Sequence, residues 1–247
     1  MKPPHSYGNW YLTNLYYTPF DNIGGKQMIT HRRGHNFQSV GSRLLIKEEI
    51  ECEKINKSLG KYLDQLGEQH KDVSPGDMSS SKDLKYGVDM SNNLKSDLFA
   101  SIHMNSSSGE VVGALGCEVW VYSDKELIQA KRVCQELEKL GFKNRGVKVN
   151  PNFYELKNTK CKSMIIEVCF VNSKTDVEIY NKVGHDVIGK AIAQGLTGKT
   201  ITTDNTNVNK GVYQVVTESF SNKEFAIQYQ EKLKEKGVNS FLQYKEI

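Results

Sequence analysis

The strongest constraint on this chain is an alternation. From Met28 to Leu196, short apolar runs take turns with segments whose apolar residues recur at helical spacing. Such a pattern builds βαβ units, so it predicts an α/β domain with a mostly parallel twisted sheet flanked by helices. Residues 27–31 read as a first strand. Residues 48–66 read as a helix, with Cys52, Ile55, Leu59, Tyr62, Leu63 and Leu66 on one face. The runs DLFASIHM (97–104), LGCEVWVY (115–122) and SMIIEVCF (163–170) are nearly continuous in apolar residues, as buried strands are. Helices are expected at 125–140, stopped by Gly141, and at 183–196.

Either side of this block the character changes. Residues 1–27 are rich in Tyr, Asn and Pro and read as an extension outside the main fold. Residues 197–210 are polar and aperiodic, which predicts a linker. Residues 211–247 read strand, helix, strand. Ser221 and Glu224 form a capping box and Gly237 ends the helix. At under 40 residues, this small α+β appendage is too short for a comfortable core of its own.

Composition removes several function classes. Of the 247 residues, 38% are hydrophobic and 25% charged, an ordinary globular mix. No stretch approaches the ~18 apolar residues of a membrane helix, so no stable membrane association is expected. The N-terminal sequence has no apolar signal core, which predicts synthesis in the cytoplasm without a signal peptide. The five cysteines, Cys52, Cys117, Cys134, Cys161 and Cys169, show no zinc-knuckle or redox spacing and read as reduced core residues. A net charge of +4 from scattered basic residues matches no nucleic-acid motif. Gly198-Lys199-Thr200 hints at a phosphate loop, but Ala193 stands where that loop needs glycine, and the segment follows a helix.

Polar residues then appear where the pattern demands apolar ones, and burying a charge is costly unless it is paired or bound to metal. At about 100° per residue, Glu48 falls in the middle of the face of Ile55, Leu59 and Leu66. Glu49 points about 100° away and Glu51 about 60° the other way. An acidic first turn also complements the helix dipole, which is the plainer reading. His103 closes the strand 97–104 and is followed by Asn105, at the end of the sheet where α/β ligand sites lie. Glu167 sits inside an apolar strand, where a carboxyl acquires a raised pKa suited to proton transfer. His35 follows the first strand. Each histidine alone reads as a satisfied core or loop residue. Together His35, Glu48 and His103 are the ligand set of a catalytic zinc site, with Glu167 left as general base and acid.

The strings GHN, KEEIECEKI, SIHMN and IIEVCF, in this order, resemble the zinc-dependent N-acetylmuramoyl-L-alanine amidases of type 3. The resemblance spans residues 28–196 and is strongest to clostridial phage and prophage lysins, through LFASIHMN, GALGCEVWVYS, NRGVK and LKNT. It implies the zinc amidase fold, with Zn2+ held by His35, Glu48 and His103 and with Glu167 as catalytic acid and base. Glu49 is the fallback ligand. It also implies bacterial peptidoglycan as partner, action on the wall after release, and substrate contacts from Asn36, Asn105 and Asn158. Where the family has a Met-Pro-Ala-like step, this chain reads Cys161-Lys162-Ser163. The tail, through Tyr213-Gln214-Val215 and the following helix, is similar to the first half of a SPOR domain, a glycan-binding fold. A zinc peptidase cutting within the stem peptide and a non-catalytic wall-binding fragment are the competing readings. His31 is expected beside the site as a strand residue, His70 and His185 facing solvent, and Cys169 on the strand face of Glu167 but packed.

Overall fold

The computed structural model describes residues 27–123, 127–201 and 227–232. The chain divides into two compact units, residues 1–201 and 202–247. In the second unit, residues 227–232 are helical, inside the helix expected for the tail. The expected extension at 1–27 (except Gln27), most of the linker and the flanking strands of the SPOR-like tail lie outside the described residues. Among those described, no helix is long and apolar enough to cross a membrane.

The first unit is built on a six-stranded sheet. Its strands are β1 (Met28–Arg33), β2 (Gln69–Asp72), β3 (Leu98–Asn105), β4 (Cys117–Val121), β5 (Asn144–Val149) and β6 (Lys162–Phe170), in the order β2-β1-β3-β6-β4-β5. β2, β1, β3 and β6 run parallel. β4 pairs antiparallel to β6, and β5 runs parallel to β4. The helices are α1 (Glu48–Gln65), α2 (Ser80–Asn93), α3 (Leu127–Lys139), α4 (Tyr154–Asn158), α5 (Lys174–Val183) and α6 (His185–Thr197). The mostly parallel α/β sheet expected from the alternation is therefore present. The expected strands and the helices at 48–66 and 125–140 agree within about two residues, the usual uncertainty of element ends.

Alternation along each strand separates two faces. Leu98, Ala100, Ile102 and Met104 of β3, with Met164, Ile166 and Val168 of β6, join the apolar core under α1, α3 and α6. The intervening residues are of another kind. They include Ser101 and His103 of β3, Ser163 and Glu167 of β6, and Glu118 of β4. On this second face, Arg32 of β1 is paired with α2 and α4, and Ser163 donates to the Leu156 carbonyl. One face of the sheet is a hydrophobic floor and the other carries ionisable groups.

A bulge corrects one expectation. His103 pairs with Glu167, but Asn105 pairs with Phe170, so β6 carries one extra residue in that interval. The extra residue turns Cys169 off the face of Glu167 and into the core. Like Cys52, Cys117 and Cys134, it is buried there as a small apolar side chain.

The elements without a sequence signal share a cause. β2 and β5 are the two edge strands, short and partly exposed, and carry no apolar run. α2 has Gly87 at its centre and few apolar residues, and α4 is barely more than one turn. α5 merges into α6 at Gly184, and one helical period cannot divide them.

α6 crosses α1 at Gly189. A Cβ there would come within 2.5 Å of the Ser58 Cβ and 2.8 Å of the Leu59 backbone nitrogen. Because one of those neighbours is backbone, the helices would have to separate. Gly189→Ala is expected to destabilise the domain by about 1–3 kcal/mol through overpacking. The melting temperature should then fall by roughly 2–4 °C per kcal/mol, measured by thermal denaturation followed by circular dichroism.

Candidate metal centre

Three elements end at one place. β1 delivers the loop carrying His35, β3 presents His103 two residues before its end, and the first turn of α1 presents Glu48. Glu48 Oε1 lies 3.4 Å from His35 Nε2 and 3.2 Å from His103 Nδ1. One donor atom from each of these three residues can be chosen so that all lie within 4.8 Å of one another. The two imidazoles meet edge to face, 5.1 Å between centroids at 81°. The backbone fixes the carboxylate between them. Oε2 accepts from the Ser42 amide at 2.8 Å, and Oε1 accepts from the Met104 amide at 3.0 Å.

Space around these groups is controlled by two glycines. A Cβ on Gly34 would sit 2.4 Å from His103 Nδ1, and one on Gly41 would sit 2.4 Å from Glu48 Oε2. Either methyl group would displace a donor. Two imidazole nitrogens and one carboxylate oxygen, converging and lacking thiolate or further ligands, suit a divalent ion such as zinc with a coordination position left open.

Charge follows the geometry. Burial alone would raise Glu48, but hydrogen bonds from His103 and His35 outweigh it and hold the carboxyl well below the usual range. Burial would lower His103, yet the Glu155 and Glu48 carboxylates push it up to about 10. Glu167 faces His103 directly across β3 and β6. Burial pushes its carboxyl up to about 7, against the lowering influence of His103. Its Oε2 is buried without a hydrogen-bond partner. Glu167, His35 and His103 line a cleft of about 300 Å³, together with Phe153, Tyr154 and Asp83. The cleft thus joins a set of residues that could hold a cation to an unpaired carboxyl group poised near neutrality.

The four residues singled out in the sequence, His35, Glu48, His103 and Glu167, are brought together. Glu49 is also buried, but Arg43 holds its Oε1 at 2.6 Å, away from the imidazoles. Helical-wheel reasoning singled out Glu48, the glutamate that meets both imidazoles, and missed that Glu49 would be buried as well.

The three asparagines do not line the cleft. Asn36 is fully buried, donates to Asp83 Oδ1 at 2.9 Å and accepts from the Gln38 and Ser39 amides, so it shapes the turn after His35. Asn105 donates to Glu118 Oε1 at 2.9 Å. Asn158, exposed at the end of α4, donates to the Tyr154 carbonyl and accepts on its own carbonyl from Asn92.

His31 is buried and bonded to Asn56 through Nδ1 at 2.7 Å. His70 is not solvent-facing as expected: it is half-buried, with Nδ1 3.0 Å from His31 Nε2. His185 is exposed. Trp120, ordinary in the sequence, donates to Glu118 and stands edge-on to Phe153 at the rim.

Sequence reasoning missed Glu155, Arg32 and Asp83. All three are buried on the polar face. The available signal was Arg32 itself, because an arginine inside a buried strand requires carboxylate partners.

A convergent two-imidazole, one-carboxylate set at the carboxyl end of a mostly parallel sheet, beside an unpaired carboxyl, has the donor arrangement of a mononuclear metal hydrolase. The chain belongs to the N-acetylmuramoyl-L-alanine amidase family, whose match covers residues 31–198. Two uncharacterized proteins of Clostridium perfringens are each 42% identical, over 176 residues in one case and 187 in the other. The chain spans about half the length of these curated relatives, 52% and 55%. The catalytic domain of the CD27L endolysin targeting Clostridia difficile superposes with a TM-score of 0.65 at 27% identity, covering 71% of this chain and 99% of that domain. The N-acetylmuramoyl-L-alanine amidase AmiC2 of Nostoc punctiforme shares the fold, with a TM-score of 0.61 at 24% identity over 70% of this chain and 96% of its own.

The raised Glu167 has a consequence for the metal-free protein. Its ionised form is less favourable folded than unfolded, where its pKa is near 4.5. The contribution of this one group is therefore fullest below about pH 4.5, falls as pH rises, and is gone above about pH 7, a change of up to about 3 kcal/mol. With metal chelated, Glu167→Gln is expected to melt several degrees above the parent at pH 8. That gap should close as pH falls toward 5 in parallel thermal scans.

Proposed function

We propose that this domain is a zinc-dependent amidase that cleaves the bond between N-acetylmuramic acid and the L-alanine of the stem peptide. The observation that carries the proposal is the seating of Glu48 Oε1 between His35 Nε2 and His103 Nδ1, with the unpaired Glu167 directly across the sheet. Family membership gives the bond class, and the donor set favours zinc.

His35, Glu48 and His103 would hold the ion. Zinc supplies Lewis acidity, polarising the scissile carbonyl and making water acidic enough to lose a proton near neutral pH. The protein does the rest. Glu48 is fixed by two backbone amides and orients both imidazoles. Glu167, lacking any partner at Oε2, is free to accept a proton from the attacking water and return it to the departing L-alanine nitrogen. Its raised pKa matches both halves of that exchange, since a group near 7 both takes and releases protons at neutral pH. Phe153 and Tyr154 give the cleft an apolar wall against which a sugar or peptide can lie.

The substrate is bacterial peptidoglycan, and the place of action is the cell wall. The likeness to an endolysin catalytic domain supports a lytic role. The string Tyr213-Gln214-Val215 and the helix after it support a partial glycan-binding tail.

Zinc-loaded protein is expected to release new N-terminal L-alanine from purified clostridial peptidoglycan, detected by amine labelling and hydrolysis. Glu167→Gln should retain zinc and lower the rate by roughly 10²–10⁴-fold, the usual weight of general acid–base catalysis. A different new amine would move the scissile bond into the stem peptide and make the domain a peptidase. No new amine from folded, zinc-loaded protein would leave only a wall-binding role.

A further inference from the structure

Behind His103 lies a buried charge cluster that the reaction as described does not use. His103 directs Nδ1 toward Glu48. Its other nitrogen, Nε2, is buried without a hydrogen-bond partner among the described residues, and the acceptor it faces is Glu155 Oε2 at 3.6 Å. Glu155 is in turn anchored. Arg32 Nη1 donates to its Oε1 at 2.8 Å, and Arg32 Nη2 is paired with Asp83. The side chains of Arg32, Asp83 and Glu155 are 0%, 3% and 2% exposed. Asp83 also accepts from Asn36, the residue next to His35. One chain of contacts thus runs from the ring of His103 through α4 and β1 to α2 and back to the His35 loop.

Three buried charges, two of them acidic, are a poor device for stability alone, because desolvation cancels much of what pairing gains. The odd carboxylate does have a partner: a neutral imidazole that uses Nδ1 toward a metal carries its proton on Nε2 and needs an acceptor there. We propose that Glu155 is a positioning residue for His103. It accepts the Nε2 proton, fixes the tautomer that leaves Nδ1 free, and holds the ring at the angle that meets Glu48 and His35. Arg32 holds Glu155 aimed at the ring, and Asp83 in turn fixes Arg32. This inference builds on the zinc reading above.

Two measurements test it. In the zinc-loaded parent labelled with ¹⁵N-histidine, long-range proton–nitrogen spectra are expected to show His103 protonated at Nε2, with the signal assigned by its loss in His103→Gln. A proton on Nδ1 would overturn the proposal without any variant having to fold. In the second, zinc affinity is measured by competition with a chromophoric chelator. Glu155→Gln is expected to bind zinc roughly 10–100-fold more weakly, while Glu155→Asp, which keeps the charge, recovers part of the loss. Unchanged affinity in Glu155→Gln together with a lowered melting temperature would make the cluster purely structural and overturn the inference alone. A parent that binds no zinc would overturn both this inference and the zinc reading.

Discussion

A carboxylate oxygen held by two backbone amides sets the geometry of everything around it. Glu48 opens α1 at the level where β3 ends, and the Met104 amide, on the side of β3 where β1 has already ended at Arg33, points at Oε1. The Ser42 amide comes from the loop on the other side and takes Oε2. A side chain with three rotatable bonds is thereby fixed without help from any flexible partner. His35 and His103 are then placed against a rigid acceptor, the preorganisation that the proposed ligand set would require. The glycines at 34 and 41 follow from this, since both imidazoles and the carboxylate approach the backbone closer than a methyl group allows.

That arrangement is affordable because the sheet separates its two tasks. The face under α1, α3 and α6 buries a continuous apolar cluster spanning β1, β3, β4 and β6. It supplies the hydrophobic stabilisation, at roughly 25 cal/mol per Å² of apolar surface removed from water. The opposite face spends some of that stability on His103, Glu167, Glu118, Arg32 and Glu155. Most of these charges are compensated. Glu118 is neutralised by Arg145 and Lys148, and Glu155 by Arg32. Glu167 Oε2 has no partner, although His103 and Glu118 are its strand neighbours; Glu49 Oε2 and Ser101 Oγ are unpartnered too, but neither lines the cleft. A buried carboxyl with an unpaired oxygen at a cleft is a candidate for chemistry.

Legibility in the sequence tracked this division closely. Strands on the apolar floor were readable because burial on both sides leaves nearly unbroken apolar runs, as in MIIEVCF. The same runs exposed His103 and Glu167 as intruders, so the site was readable for the same reason as the fold. Glu48 was readable because a helical wheel has a definite inward direction. What could not be read depends on contacts between distant segments. Glu155 lies in a five-residue helix with no periodicity, and its partners are 123 positions away at Arg32 and, through Arg32, at Asp83. The burial of Glu49 depends on Arg43 in a loop, and the placement of Cys169 on a single inserted residue in β6. Local pattern gives no access to any of these.

The antiparallel edge also connects architecture to chemistry. β4 joins β6 antiparallel, so Glu118 meets Glu167 from one side while His103 meets it from the other. β5 runs alongside β4, and its Arg145 and Lys148 converge on Glu118 at 2.5 Å each. Their two positive charges hold Glu118 ionised below its ordinary range, against the effect of burial. An ionised Glu118 raises Glu167 further, in the same direction as burial. The antiparallel edge is therefore part of how the sheet keeps one carboxyl near neutrality, a condition that a fully parallel sheet with an apolar edge would not provide.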